Sequence, residues 1–109
     1  MKDLLEQQRF IDETYFPNVR EETSLEYWAM AIGGETGELL NAMKKYVRGH
    51  RKDGTSQELE LKIAEEAADI LIYLMILSDV IGFDLEEITK RKQEINILRM
   101  QEGIHIEMK

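Results

Sequence analysis

Apolar residues return along this chain at intervals of three and four, the spacing that gives a helix one buried face. The first such stretch runs from Lys2 to about Thr14, with Leu4, Leu5, Phe10 and Ile11 as its apolar positions. "YFPNVREET" then breaks it, because Pro17 and Asn18 supply turn chemistry. A second helix is predicted from "TSLE", where Thr23 and Glu26 form a capping box. It carries Leu25, Trp28, Ala29, Ile32, Leu39, Ala42, Met43, Tyr46 and Val47, and Gly49 is the expected stop. After the basic loop "GHRKDGTS", Thr55 and Glu58 form another capping box. The third helix, "IAEEAADILIYLMILSDVIG", is apolar around almost its whole circumference. Such a helix is buried, either centrally or between subunits. Gly82 ends it, and Asp84 with Glu87 caps a charged fourth helix, "LEEITKRKQEINILRMQ". Gly103 and "IHIEMK" follow as a tail. Met30, Met43 and Met75 read as core. The expectation is one all-α domain over residues 1–109, a four-helix bundle whose surplus apolar surface points to a homo-oligomer.

Composition narrows the chemistry. The 109 residues are 43% hydrophobic and 33% charged, as in a globular protein rather than a disordered one. There is no cysteine, so thiolate metal sites are excluded and a metal must be held by oxygen or histidine. His50 and His105 are too few and too far apart for a zinc site. A formal net charge of -8 argues against binding duplex nucleic acid or an anionic membrane. It does not exclude a small phosphate ligand, because a bound cation inverts the local charge. "MKDLLEQQRF" contains no apolar leader, and no run approaches about 18 apolar residues, so a cytoplasmic protein is expected.

Four acidic pairs lie three residues apart. Asp3/Glu6 suits a polar first turn, and Asp84/Glu87 is explained by capping. Glu66/Asp69 is embedded in the most apolar helix, on a face shared with Lys62 and Tyr73. Residues three apart lie about 60° apart around the axis, so both carboxylates reach one point. Their charge needs compensation, either by Lys62 or arginine or by a divalent cation. Glu35/Glu38 forms a second pair in mid-helix, within "GGETGELL". Two antiparallel helices bearing these pairs would gather four carboxylates around one cavity. Such an all-oxygen set favours Mg²⁺ or Mn²⁺. Gly33, Gly34 and Gly37 are poor helix residues, and close approach of a neighbouring helix or a phosphate is their candidate reason.

"GETGEL", "EEAADILIYL" and "KQEIN" together resemble the MazG-like all-α nucleoside triphosphate pyrophosphohydrolases, over about residues 28–96. The family pattern is Glu-x-x-Glu on one helix, Glu-x-x-Asp on the next and Lys-x-x-x-Asn on the last. The resemblance implies Mg²⁺-dependent hydrolysis of a nucleoside or deoxynucleoside triphosphate to the monophosphate and pyrophosphate, a nucleotide-pool house-cleaning role. Mn²⁺ is the possible substitute. By resemblance Glu35, Glu38, Glu66 and Asp69 hold the metal, and Tyr73, Lys92 and Asn96 contact the substrate. Some relatives use an acid just before the first motif glutamate as general base; here that position is Gly34, which leaves Glu38 as the catalytic candidate. Trp28 is a candidate for base stacking, beside its ordinary reading as core. The loop over residues 49–56 is a candidate lid beside its reading as a solvated linker. The resemblance also implies a homodimer or a homotetramer built from dimers. The rival reading is a non-catalytic helical interaction or regulatory module that keeps the fold.

Overall fold

The computed structural model describes residues 1–52 and 57–103, with the side chains of 50–52 excepted. Thr55 and its capping box, most of the candidate lid and the tail with His105 therefore lie outside the described residues. Among the described residues five helices form: α1 (Lys2–Tyr15), α2 (Val19–Glu22), α3 (Leu25–Lys52), α4 (Gln57–Ile81) and α5 (Leu85–Gln101). There is no strand among the described residues. The chain is all-α, as its pattern predicts. No helix among the described residues is long and apolar enough to cross a membrane.

Three local expectations change. The segment read as a turn contains one extra helical turn, α2, entered through Asn18 in the left-handed conformation, φ 70°. Asparagine tolerates that conformation better than most residues. Thr23 closes α2 in an extended conformation, so it does not cap α3. Ser24 does, its Oγ accepting from the Tyr27 amide at 3.1 Å. Gly49 does not stop α3, which continues to Lys52. By contrast Asp84 accepts from the Glu87 amide at 3.0 Å, and Gly82, at φ 96°, ends α4 as expected.

α3 and α4 are the backbone of the fold. Contacts between Gly49 and Leu59, Tyr46 and Glu60, and Trp28 and Tyr73 step in opposite directions along the two helices, so they form an antiparallel hairpin. Trp28, Ala42, Met75 and Ile76 are its buried apolar residues among those described. Met75 is core as predicted, but Met30 and Met43 are 76% and 45% exposed. They point away from the hairpin, on the side of α3 that α4 does not cover.

α1 and α2 dock on α4 largely through charge. Leu5, Gln8, Ile11 and Asp12 form the covered face of α1, while Leu4 and Phe10 are exposed, against the sequence expectation. Asp12 is buried and accepts from Arg20 Nε at 3.0 Å and Nη2 at 2.8 Å. Arg20 also reaches Asp79 of α4 through Nη1, and Arg9 grips the same carboxylate at 2.9 and 2.7 Å. Two arginines and two aspartates thus alternate across three helices. Bidentate, partly buried pairs of this kind are worth more than isolated surface pairs.

α5 meets α4 over a small area, and only Leu85 and Ile95 on it are half-buried. Ile88, Ile97, Leu98 and Met100 stand at least 41% exposed. The radius of gyration is 17.5 Å, where a compact chain of this length has about 13 Å. The all-α helical architecture is the one the sequence suggests, with α5 lying apart from the α3–α4 hairpin for most of its length.

The hydrogen bond from Arg9, followed by that from Arg20, holds the Asp79 carboxyl below its ordinary pKa of 3.8, against the effect of burial. The stabilisation is complete above 3.8 and is lost as pH falls through the lowered folded-state value. Asp79→Asn should therefore cost about 2–3 kcal/mol at neutral pH and lower the melting temperature by about 10 °C. As pH falls through that lowered value wild type and variant should converge. Thermal melts followed by circular dichroism from pH 7 to pH 2 check both statements.

Candidate functional site

Helical spacing aligns one face of each hairpin partner. Trp28 and Glu35 are seven apart on α3, as are Asp69 and Ile76 on α4. Seven residues are about two turns, or about 10 Å of axis. Because the helices are antiparallel, Glu35 faces Glu66 and Asp69, while Trp28 faces Tyr73.

Glu35, Glu38 and Glu66 each offer an oxygen, and all three oxygens lie within 4.8 Å of one another. Glu66 is 3% exposed, Glu35 is half-buried and Glu38 is exposed. The first sequence alternative, compensation by lysine, is present: Lys62 Nζ lies 2.7 Å from Glu66 Oε1. It is incomplete. Lys62 is itself 53% exposed, and it reaches only one oxygen of the cluster. As ionised groups, Glu35 Oε2 and Glu66 Oε2 are buried acceptors with no donor among the described residues. Such orphans are uncommon in folded proteins and call for a proton or a cation.

In the chain alone a proton answers. Glu35 is pushed up to about 7, first by its hydrogen bond to Glu66, then by burial and the charges of Glu66, Glu38 and Asp69. Glu66 is held below its ordinary value by the same hydrogen bond and by Lys62. One carboxyl of the pair keeps its proton so that the other can stay charged.

Asp69 stands apart from the three-glutamate group. It is exposed and lines a cleft of about 400 Å³ that also takes in Glu35. Tyr27, Trp28 and Tyr73 supply the aromatic wall of that cleft. Gln8, Asp12 and Phe16 close it from α1 and the turn that follows. Trp28 is 4% exposed, packed edge-on by Tyr27 at 5.9 Å and tilted against Tyr73 at 6.0 Å. Burial raises the Tyr73 hydroxyl pKa, with the charge of Glu35 adding to the effect.

Lys92 and Asn96 do not join this group. Both are exposed on α5 and neither lines the cleft. The glycines also depart from expectation: a Cβ at Gly33, Gly34 or Gly37 would meet nothing within 4 Å among the described residues. No neighbouring helix among the described residues explains them.

Gln8, Asp12, Phe16 and Tyr27 were not singled out in the sequence. For Asp12 a signal exists, since a carboxylate between Ile11 and the turn shares a helix face with Leu5 and Gln8. Nothing in the spacing marks Gln8 as a cleft residue.

The acidic group and the cleft fall inside the region that matches a known domain, except for the wall from α1 and its turn. A family model, the MazG nucleotide pyrophosphohydrolase domain, matches residues 22–102. No curated protein and no solved structure matches the chain significantly. With carboxylates gathered by α3 and α4 beside an aromatic cleft, and the family match spanning both helices and α5, this chain belongs to the MazG nucleotide pyrophosphohydrolase domain family.

Proposed function

We propose that the protein hydrolyses a nucleoside or deoxynucleoside triphosphate between its α- and β-phosphates, releasing the monophosphate and pyrophosphate. The observation that carries this reading is the glutamate group with two orphaned buried oxygens, opening onto a cleft with an aromatic wall. The donor set fits a hard divalent cation, Mg²⁺ with Mn²⁺ as substitute. Glu35, Glu38 and Glu66 would hold it, joined by Asp69 from the cleft side. Bound there, the cation supplies charge neutralisation for the phosphates and an acidified water.

The remaining work falls to the chain. Glu66 is buried with Oε1 engaged by Lys62, and Glu35 is half-buried against Glu66. Glu38 is the exposed member of the group and the best placed to take a proton from an attacking water. Tyr73 and Trp28 stand on the cleft side, where the sugar and base of a nucleotide would extend from the carboxylates. Lys92 and Asn96 contribute to the substrate in this reading only if α5 comes to a neighbouring chain's cleft. The exposed apolar residues of α3 and α5 and the open shape of the chain support such a homodimer, or a tetramer built from dimers.

Glu38→Gln and Asp69→Asn should each lower pyrophosphate release by orders of magnitude and leave the helical circular dichroism unchanged. Pyrophosphate release from a panel of nucleoside triphosphates with Mg²⁺ is the assay, and activity surviving both changes would refute the site. A non-catalytic module predicts no release with any of them.

Metal binding and the Glu35 proton compete. Below about 7 Glu35 keeps its proton; above it the carboxylate is free. Apparent Mg²⁺ affinity should therefore rise with pH through about 7 and level off above it. Without metal the sign reverses: between the ordinary 4.5 and about 7 the folded chain holds more protons, so its stability falls as pH rises. Melting temperature against pH, with and without millimolar Mg²⁺, reads both trends, and Glu35→Gln should flatten them. Light scattering at micromolar concentration tests the assembly; a monomer mass would rule it out.

A further inference from the structure

Asp12, Asp79 and Glu66 are carboxylates withdrawn from solvent and held by cations, but they are held in two ways. Arg9 grips Asp79 with two hydrogen bonds, at 2.9 and 2.7 Å, and Arg20 gives two to Asp12 and one to Asp79. Glu66 has a single ammonium, Lys62 Nζ, which meets its Oε1 at 2.7 Å. A planar guanidinium fixes a carboxylate through two points, whereas an ammonium is a point charge on a flexible stem. The Lys62 side chain is 53% exposed and that of Glu66 is 4% exposed. Lys62 can therefore exchange Glu66 for water at little cost to itself. Glu66, buried, needs another cation or a proton in its place.

Helix stability does not account for the pair. Lysine four residues before glutamate is the less favourable order along a helix. Nor does the lysine answer Glu66 alone, because the charge of Glu38 acts on the same ammonium after that of Glu66. Lys62 thus stands as a tethered cation beside the group formed by Glu35, Glu38 and Glu66. The arginine forks lock α1 and α2 to α4. The lysine leaves its carboxylate open to exchange.

We infer that Lys62 is an exchangeable counter-cation that opposes the divalent ion at this group and so selects for cation charge. This rests on the metal reading above. Lys62 stabilises the hairpin when the group has no other cation. A metal that binds must outweigh the single charge already there, which Mg²⁺ does and K⁺ or Na⁺ does not. An ammonium this close to a ligand oxygen lowers divalent affinity by about tenfold, even at the dielectric of water.

The test compares wild type with Lys62→Met, which keeps much of the stem and removes the charge, and with Lys62→Arg, which keeps the charge. With chelator present, Lys62→Met should melt about 5 °C lower than wild type. By titration calorimetry it should bind Mg²⁺ about tenfold more tightly, and Lys62→Arg should stay within about threefold of wild type. Potassium chloride, against tetramethylammonium chloride, should raise the melting temperature of Lys62→Met and leave wild type unmoved. If Lys62→Met binds Mg²⁺ more weakly, Lys62 positions Glu66 for the metal and this inference falls. Unchanged affinity overturns it as well, and in both cases the metal site stands. No Mg²⁺ binding by any of the three proteins overturns the metal reading together with this one.

Discussion

Burying Glu66 between α3 and α4 is the constraint around which the rest of this molecule is arranged. At 3% exposure its charge cannot be left to water. Lys62 meets it from the preceding turn, and Glu35 meets it with a proton from the opposite helix. Both answers are partial, and the partiality carries the functional meaning. A core that needed only stability would place an apolar residue at 66, because hydrophobic replacement of buried charge is often neutral or stabilising. The hairpin keeps three glutamates together, and as ionised groups two of their oxygens have no donor among the described residues. The proton on Glu35 lets the chain by itself tolerate them.

Much of this was legible in the sequence because it depends on periodicity. The i,i+3 pairs at Glu35/Glu38 and Glu66/Asp69, set in apolar helices, suggested that the two helices face one another; Glu35, Glu38 and Glu66 do come together, while Asp69 stands beside them on the cleft. Caps that depend on a single side chain were legible where alternatives were absent, as at Asp84. At "TS" two hydroxyl residues competed; the extra turn of α2 consumed Thr23 and passed the cap to Ser24. The contribution of α1 was not legible. Its apolar residues suggested one buried face, but ion pairs to Asp79 turned another inward and left Phe10 outside. Long-range charge pairing between positions 9, 12, 20 and 79 has no period along the chain. The direction taken by α5 was equally hidden, since its apolar residues specify a face without specifying what covers it.

The same structure divides its interactions by kind. The α3–α4 hairpin is held by apolar packing around Met75 and Ile76, with the acidic group enclosed at one level and the aromatic cluster at another. α1 and α2 are held mainly by guanidinium–carboxylate pairs. Hydrophobic packing adapts poorly to a change in side-chain volume, whereas the ion-paired helices meet α4 at a few defined points.

That division has a consequence for substitutions around the cleft. The residues that would perform phosphate chemistry lie on α3 and α4, within the matched segment from residue 22 onward. Gln8 and Phe16, which wall the cleft, precede it. A substitution at either can reshape what the cleft admits without disturbing Glu35, Glu38 or Glu66. The cleft wall from α1 and the acidic hairpin thus lie on separate stretches of the chain, so the shape of one can change while the charges of the other stay in place.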